Sequence, residues 1–153
     1  MSQLLIPFGN WIITNKGNQD CRVLADRHYS RQSPGNVQFC RPGRNLVLIS
    51  PSADAVWVTW DGIRDDGFTA WECTLFRNEG QVLSSILINE AIAVTVQEWG
   101  NSPPDGIITY VNSARVKSNN PGCCFKKAGW KHAGKSKSGL LRFQYRHPSK
   151  EGD

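Results

Sequence analysis

Between Gly106 and Lys150 the chain has no acidic residue, yet ten basic ones: Arg115, Lys117, Lys126, Lys127, Lys131, Lys135, Lys137, Arg142, Arg146 and Lys150. Residues 1–105 carry eight basic and eleven acidic residues, so the net charge of +5 is concentrated in the last third. That asymmetry points the last third at a polyanion, through phosphate contacts that are strong and insensitive to sequence. A solvated basic face with no partner has the same composition. Trp130 and His132 stand among the lysines and add stacking surfaces.

Other absences narrow the class. No apolar stretch approaches the roughly 18 residues of a membrane-spanning helix. The opening MSQLLIPFG has neither a basic start nor an apolar run long enough for a signal peptide. Five cysteines, with Cys123 and Cys124 adjacent and no C-x-x-C, argue against a disulfide framework or a zinc site and suit reduced thiols. Repeats, coiled-coil heptads and low-complexity tracts are missing too. The expectation is a soluble, cytoplasmic, single-domain protein over residues 1–146, with residues 147–153 a disordered tail. A chain of 153 residues, 39% hydrophobic, is long enough for a core without staples.

Local patterns give the elements. Residues 4–8 and 11–14 are apolar enough for a first strand, broken by Gly9-Asn10. Asp20 is a candidate cap for a helix running toward His28, and a loop follows over residues 29–43. Residues 46–49 and 55–60 form a hairpin around Pro-Ser-Ala-Asp, with Val56, Val58 and Trp60 on one side and Trp57 and Thr59 on the other. An acidic loop over 61–69 leads to a strand over 70–76. A long helix, capped by Ser84 or Ser85, then packs a stripe of Ile88, Ala91, Ile92, Thr95 and Trp99 on the sheet. A strand over 107–111 and a short helix over 121–128 follow, the helix opened by Asn120-Pro121 and closed by Gly129. Two strands finish the chain. This is an α+β (α/β) order: a mixed, mostly antiparallel sheet with covering helices.

Two places carry chemistry. His28-Tyr29-Ser30, at the end of the first helix, offers an imidazole and a phenol as ligand or acid–base groups. The bland alternative is a histidine bonded at a helix end beside a half-buried tyrosine. The N-terminus of the helix opened by Asn120 leaves N–H groups free for a phosphate or carbonyl, or is simply a capped helix.

The element order, together with Asn120, Phe125 in mid-helix and Ala128-Gly129-Trp130, resembles the GCN5-related N-acetyltransferase (GNAT) superfamily. In that superfamily a coenzyme pyrophosphate lies at the strand-to-helix turn. The resemblance implies Arg77, Gly80, Ser84 and Ser85 as binding residues for a coenzyme A-type donor. Val82 and Glu79 depart from the usual text of that turn, and Phe125 stands where a general-acid Tyr is usual. A narrower set, HYS, FRNE before a serine-rich helix start, TYVN on a strand and NPGCCFKKAGW, resembles the Mom-type DNA-modification proteins of bacteriophages. That family alters the exocyclic nitrogen of adenine by carbamoylmethylation. It implies a bacterial host cytoplasm, an active centre of His28, Tyr29, Asn112 and Asn120, and iron on His28 and Tyr29. Asn112 stands where relatives usually show an acidic residue.

Three functions follow. The first is a DNA-modifying transferase acting on double-stranded DNA, with Arg115, Lys117, Lys126, Lys127, Lys131, Lys135 and Lys137 on the phosphates and the adenine turned out of the stack. The second is an acyl-coenzyme A transferase on a small amine or a protein, the amine drawn by the acidic loop. The third is a catalytically silent nucleic-acid-binding module.

Overall fold

The computed structural model describes residues 9–28, 39–113 and 122–146. Tyr29, Arg115, Lys117 and Asn120 lie outside those residues, as do the 4–8 stretch and the tail. The elements are β1 (Ile12–Thr14), α1 (Gln19–Asp26), β2 (Arg44–Ile49), β3 (Ala55–Asp61), β4 (Trp71–Asn78), α2 (Ser84–Trp99), β5 (Ile107–Val111), α3 (Cys123–Lys127), β6 (Lys131–Lys135) and β7 (Leu141–Tyr145). One seven-stranded sheet has the order β1-β2-β3-β4-β5-β7-β6. Only β4 and β5 run parallel; every other neighbouring pair is antiparallel.

The hairpin expected at Pro-Ser-Ala-Asp forms, and one hydroxyl holds it. Ser50 Oγ accepts from the N–H groups of Asp54 and Ala55 and donates to Asp54 Oδ1. The alternation expected of β3 is also present and decides the layers. Val47, Val56, Val58 and Leu75 pack with Cys21, Leu24 and Ala25 of α1 on one face. Leu48 and Trp57 lie on the other face with Leu87, Ile88, Ala91 and Ile92 of α2 and Phe125 of α3. There Trp57 Nε1 donates to Thr59 Oγ1 (2.6 Å), which lies 3.0 Å from Thr95 Oγ1; Thr95 in turn donates to Ala91 O (2.8 Å). The α2 stripe therefore carries one buried polar chain through the core, every member partnered.

The helix caps differ from expectation. Asn18, not Asp20, caps α1: its extended backbone lets the side chain accept from Cys21 N (2.8 Å), whereas Asp20 already lies in the first turn. The helix stops at Asp26, short of His28, whose N–H goes to Ala25 O. Neither Ser84 nor Ser85 caps α2. Leu83 takes that position without a side-chain bond, and Ser84 Oγ accepts from Asn78 Nδ2 instead (3.0 Å). Gly122 occupies the cap position of α3 with φ 79, so the helix begins at Cys123 and is only five residues long. A Cβ at Gly122 would come within 2.4 Å of the Phe143 ring, so glycine is required there for space as well as for conformation. Gly129 ends that stretch as expected, with φ 97.

Candidate functional site

The sheet face that carries α1 is apolar only under that helix. Register places Asn45 opposite Trp60, Trp60 opposite Glu72, Glu72 opposite Ile108, and Tyr110 opposite Arg142. Side chains on one face recur every second residue, so Trp60, Glu72, Tyr110 and Arg142 share the α1 face beyond the reach of α1. A bulge makes this work. Val58 pairs with Leu75 and Thr59 with Cys73, so Thr74 is an extra residue that keeps both Glu72 and Leu75 on the α1 side. The uncovered half opens as a groove of about 1030 Å³, walled by residues 41–43, the loop after β3 and the β6–β7 hairpin.

The floor is an ionic network around Arg64, whose side chain is 8% exposed. Its Nε and Nη2 donate to the two oxygens of Asp66, and its Nη1 donates to Glu72 Oε1 (3.0 Å). Glu72 also accepts from Arg41 Nη1 (3.1 Å). Tyr110 Oη donates to Asp66 Oδ2 (2.8 Å) and accepts from Arg142 Nε (3.2 Å). Burial raises the Asp66 carboxyl, but the bonds from Arg64, the Phe68 N–H and Tyr110 outweigh it and hold it well below the usual carboxylate range. Burial and the bond to Asp66 push the Tyr110 phenol up, against Arg142. Both groups therefore keep fixed protonation states near neutrality, Asp66 as carboxylate and Tyr110 as phenol. The guanidinium groups of Arg41 and Arg64 lie 4.9 and 5.5 Å from the Trp60 ring, and Trp60 Nε1 is anchored on Pro42 O. These groups suit binding and orientation more than proton transfer.

Next to the groove, β4 and β5 part. Only three residue pairs join β4 to β5, ending at Cys73 and Thr109, and Thr109 Oγ1 donates to Cys73 O (2.8 Å), capping the ladder. Residues 74–78 run on without β5. A gap between the carboxyl ends of parallel strands is where open sheets bind ligands. Thr74 Oγ1, at the bulge, is buried without a hydrogen-bond partner.

No protein-family model, curated protein or solved structure matches the chain.

The residues nominated from sequence divide into three places. The first is the far end of β4. Arg77 Nη1 donates to Arg27 O, the carbonyl just before His28, so the end of α1 meets the β4–α2 turn. Glu79 accepts there from both Arg27 and Arg77, and these bonds hold its carboxyl down to about 2. Asn78 links the turn to Ser84, while Ser85 is half-buried in the first turn of α2. As a pyrophosphate seat this turn fits poorly. The N–H of Glu79 goes to Asp54 O and that of Gly80 to Asn78 Oδ1, and the Asp54 carboxylate fills the space a Cβ on Gly80 would need. Along β4 this cluster is roughly 15 Å from Glu72.

The second place is the groove, where Lys135 and Lys137 join its wall. The third is the opposite layer: Lys126 and Lys127 are exposed on α3, with Lys126 Nζ 5.7 Å from the Phe143 ring. Lys131 is exposed on β6, the edge strand, and Asn112 follows β5 at the carboxyl end of the parallel pair. Among the described residues no group of three or more His, Cys, Asp or Glu side chains could hold a metal ion, so iron on His28 gains no support from them. Among them, too, no helix is long and apolar enough to cross a membrane.

Sequence reading missed Arg64, Glu72, Tyr110 and Arg142. One signal was present: Glu72 is a lone acid inside the apolar strand AWECTLF, and a buried carboxylate demands cationic partners.

Proposed function

We propose that this chain is a GNAT-type transferase that modifies the exocyclic amine of adenine in double-stranded DNA, the Mom-like reaction. The observation that carries this reading is the charge of the groove. Asp66 is paired with Arg64, and Glu72 with both Arg41 and Arg64. Of the groove's acids, only Asp65 has no ion pair among the described residues. Five cations, Arg41, Arg64, Lys135, Lys137 and Arg142, against the acids Asp65, Asp66 and Glu72 leave the groove positive. A cationic amine finds little attraction there, whereas phosphates beside a target nucleotide do. This disfavours the small-amine acyltransferase relative to the DNA enzyme.

Strand order supports the GNAT-type half of the reading, because the parallel pair among the described strands, β4 and β5, parts beyond Cys73 and Thr109, next to the groove. The β4–α2 turn, with two carboxylates where a pyrophosphate is expected, supports a donor other than coenzyme A at that spot. In this reading the groove binds and orients: Trp60 backs Arg41 and Arg64, and Asp66 and Glu72 hold the arginines in place.

Nucleoside mass spectrometry of plasmid DNA from cells expressing the protein tests the proposal. Mass-shifted deoxyadenosine is expected with the wild type, and less of it with Lys135→Gln and Lys137→Gln combined, which remove two charges from the groove wall. Unmodified DNA together with acyl-coenzyme A turnover on amines would assign the second reading. Tight DNA binding with neither activity would assign the silent module.

A further inference from the structure

Ile63 is 97% exposed, far more than any other large apolar side chain among the described residues. It stands at the mouth of the groove on the loop after β3. That loop is fixed on both sides of it. Gly62 lies so close to the Trp60 indole that a Cβ would come within 2.6 Å of the ring, and Arg64 is bound to Asp66 and Glu72. The neighbours thus hold an apolar side chain out into water, where it gains nothing from burial. Lys135 and Lys137 belong to the wall of the same groove.

Resting on the DNA reading above, we propose that Ile63 is a wedge that enters the base stack when the target nucleotide is turned out into the groove. Extruding a nucleotide leaves a gap between base steps, and an apolar side chain that fills it offsets the lost stacking. The groove, at about 1030 Å³, has room for a nucleotide, and its lysines suit the flanking phosphates. Insertion into an anionic membrane fits less well. The other exposed large apolar residues are Leu83, Ile86 and Val82 at the start of α2, Ile12 and Ile13 on β1 and Val23 on α1; none of them lines the groove beside Ile63, so no apolar face surrounds it.

The test compares binding to an intact duplex and to the same duplex with one central abasic site, where the gap already exists. Wild type should prefer the abasic duplex by about tenfold. Ile63→Ser should reduce that preference to about one without changing the slope of log affinity against log salt, since Ile63 contacts no phosphate. Ile63→Leu should restore it. A preference that survives in Ile63→Ser, or a wild type that binds both duplexes equally, overturns the wedge and leaves DNA binding intact. A wild type that binds neither duplex removes the DNA reading and the wedge with it. Binding to phosphatidylserine vesicles that Ile63→Ser abolishes would reassign the side chain to a membrane surface.

Discussion

Replacing Arg64 by Ala tests whether the groove floor is held by its ionic network. Among the described residues Arg64 alone bonds to both Asp66 and Glu72; its side chain and that of Glu72 are 8% and 4% exposed, while that of Asp66 is 20% exposed. Removing one member of a buried ion pair costs about 3–5 kcal/mol. Here Glu72 keeps Arg41, and Asp66 keeps Tyr110 and the Phe68 N–H, which puts the loss at the lower end, about 3 kcal/mol. For a domain of this size that lowers Tm by roughly 6–12 °C. Arg64→Lys should lose less, because it keeps the charge but not the two-pronged bond to Asp66. The effect must also depend on pH with a defined sign. The Asp66 carboxyl lies below its ordinary value in the folded protein, so its ionic contacts contribute stability above the unfolded value of about 3.9 and lose it as pH falls toward the folded value. The gap between wild type and Arg64→Ala should therefore be widest near neutrality and narrow below about pH 4. Urea unfolding at both pH values measures it. A loss under about 1 kcal/mol at neutral pH, or a gap that does not narrow in acid, would refute a buried network.

Three further outcomes are expected. Thr59→Val leaves the Trp57 indole N–H without its acceptor in the core and should cost about 1–3 kcal/mol in chemical denaturation, with groove-dependent functions unchanged. Glu79 is held down to about 2 from 4.5 by Arg27 and Arg77, so its contribution is complete above 4.5 and is lost as pH falls toward 2; Glu79→Gln should flatten the pH–stability curve in that interval. Lys135→Gln with Lys137→Gln should reduce the salt slope of duplex binding by about two units, one per phosphate contact, whereas an unchanged slope would take the groove's lysines off the DNA.

Sequence alone determined the elements and much of their layering, because those depend on local spacing. Alternation in β3 placed Val56 and Val58 on the face opposite Trp57 and Thr59, and the Ile88-Ala91-Ile92-Thr95 stripe marked the buried side of α2. Helix ends were less legible. Asn18 and Asp20 are both good caps by type, and only the backbone decides which one reaches an N–H. The charge asymmetry was visible, but not that Lys126 and Lys135 would fall on different parts of the molecule. The groove could not be read from any window. Arg41, Arg64, Glu72, Tyr110 and Arg142 are scattered over a hundred residues, and what joins them is cross-strand register, shifted by one bulged residue at Thr74. Pairing between distant strands is fixed by the whole sheet. Tertiary structure therefore decided which charges meet, which of them are neutralised, and that a lone isoleucine stands at the groove's mouth.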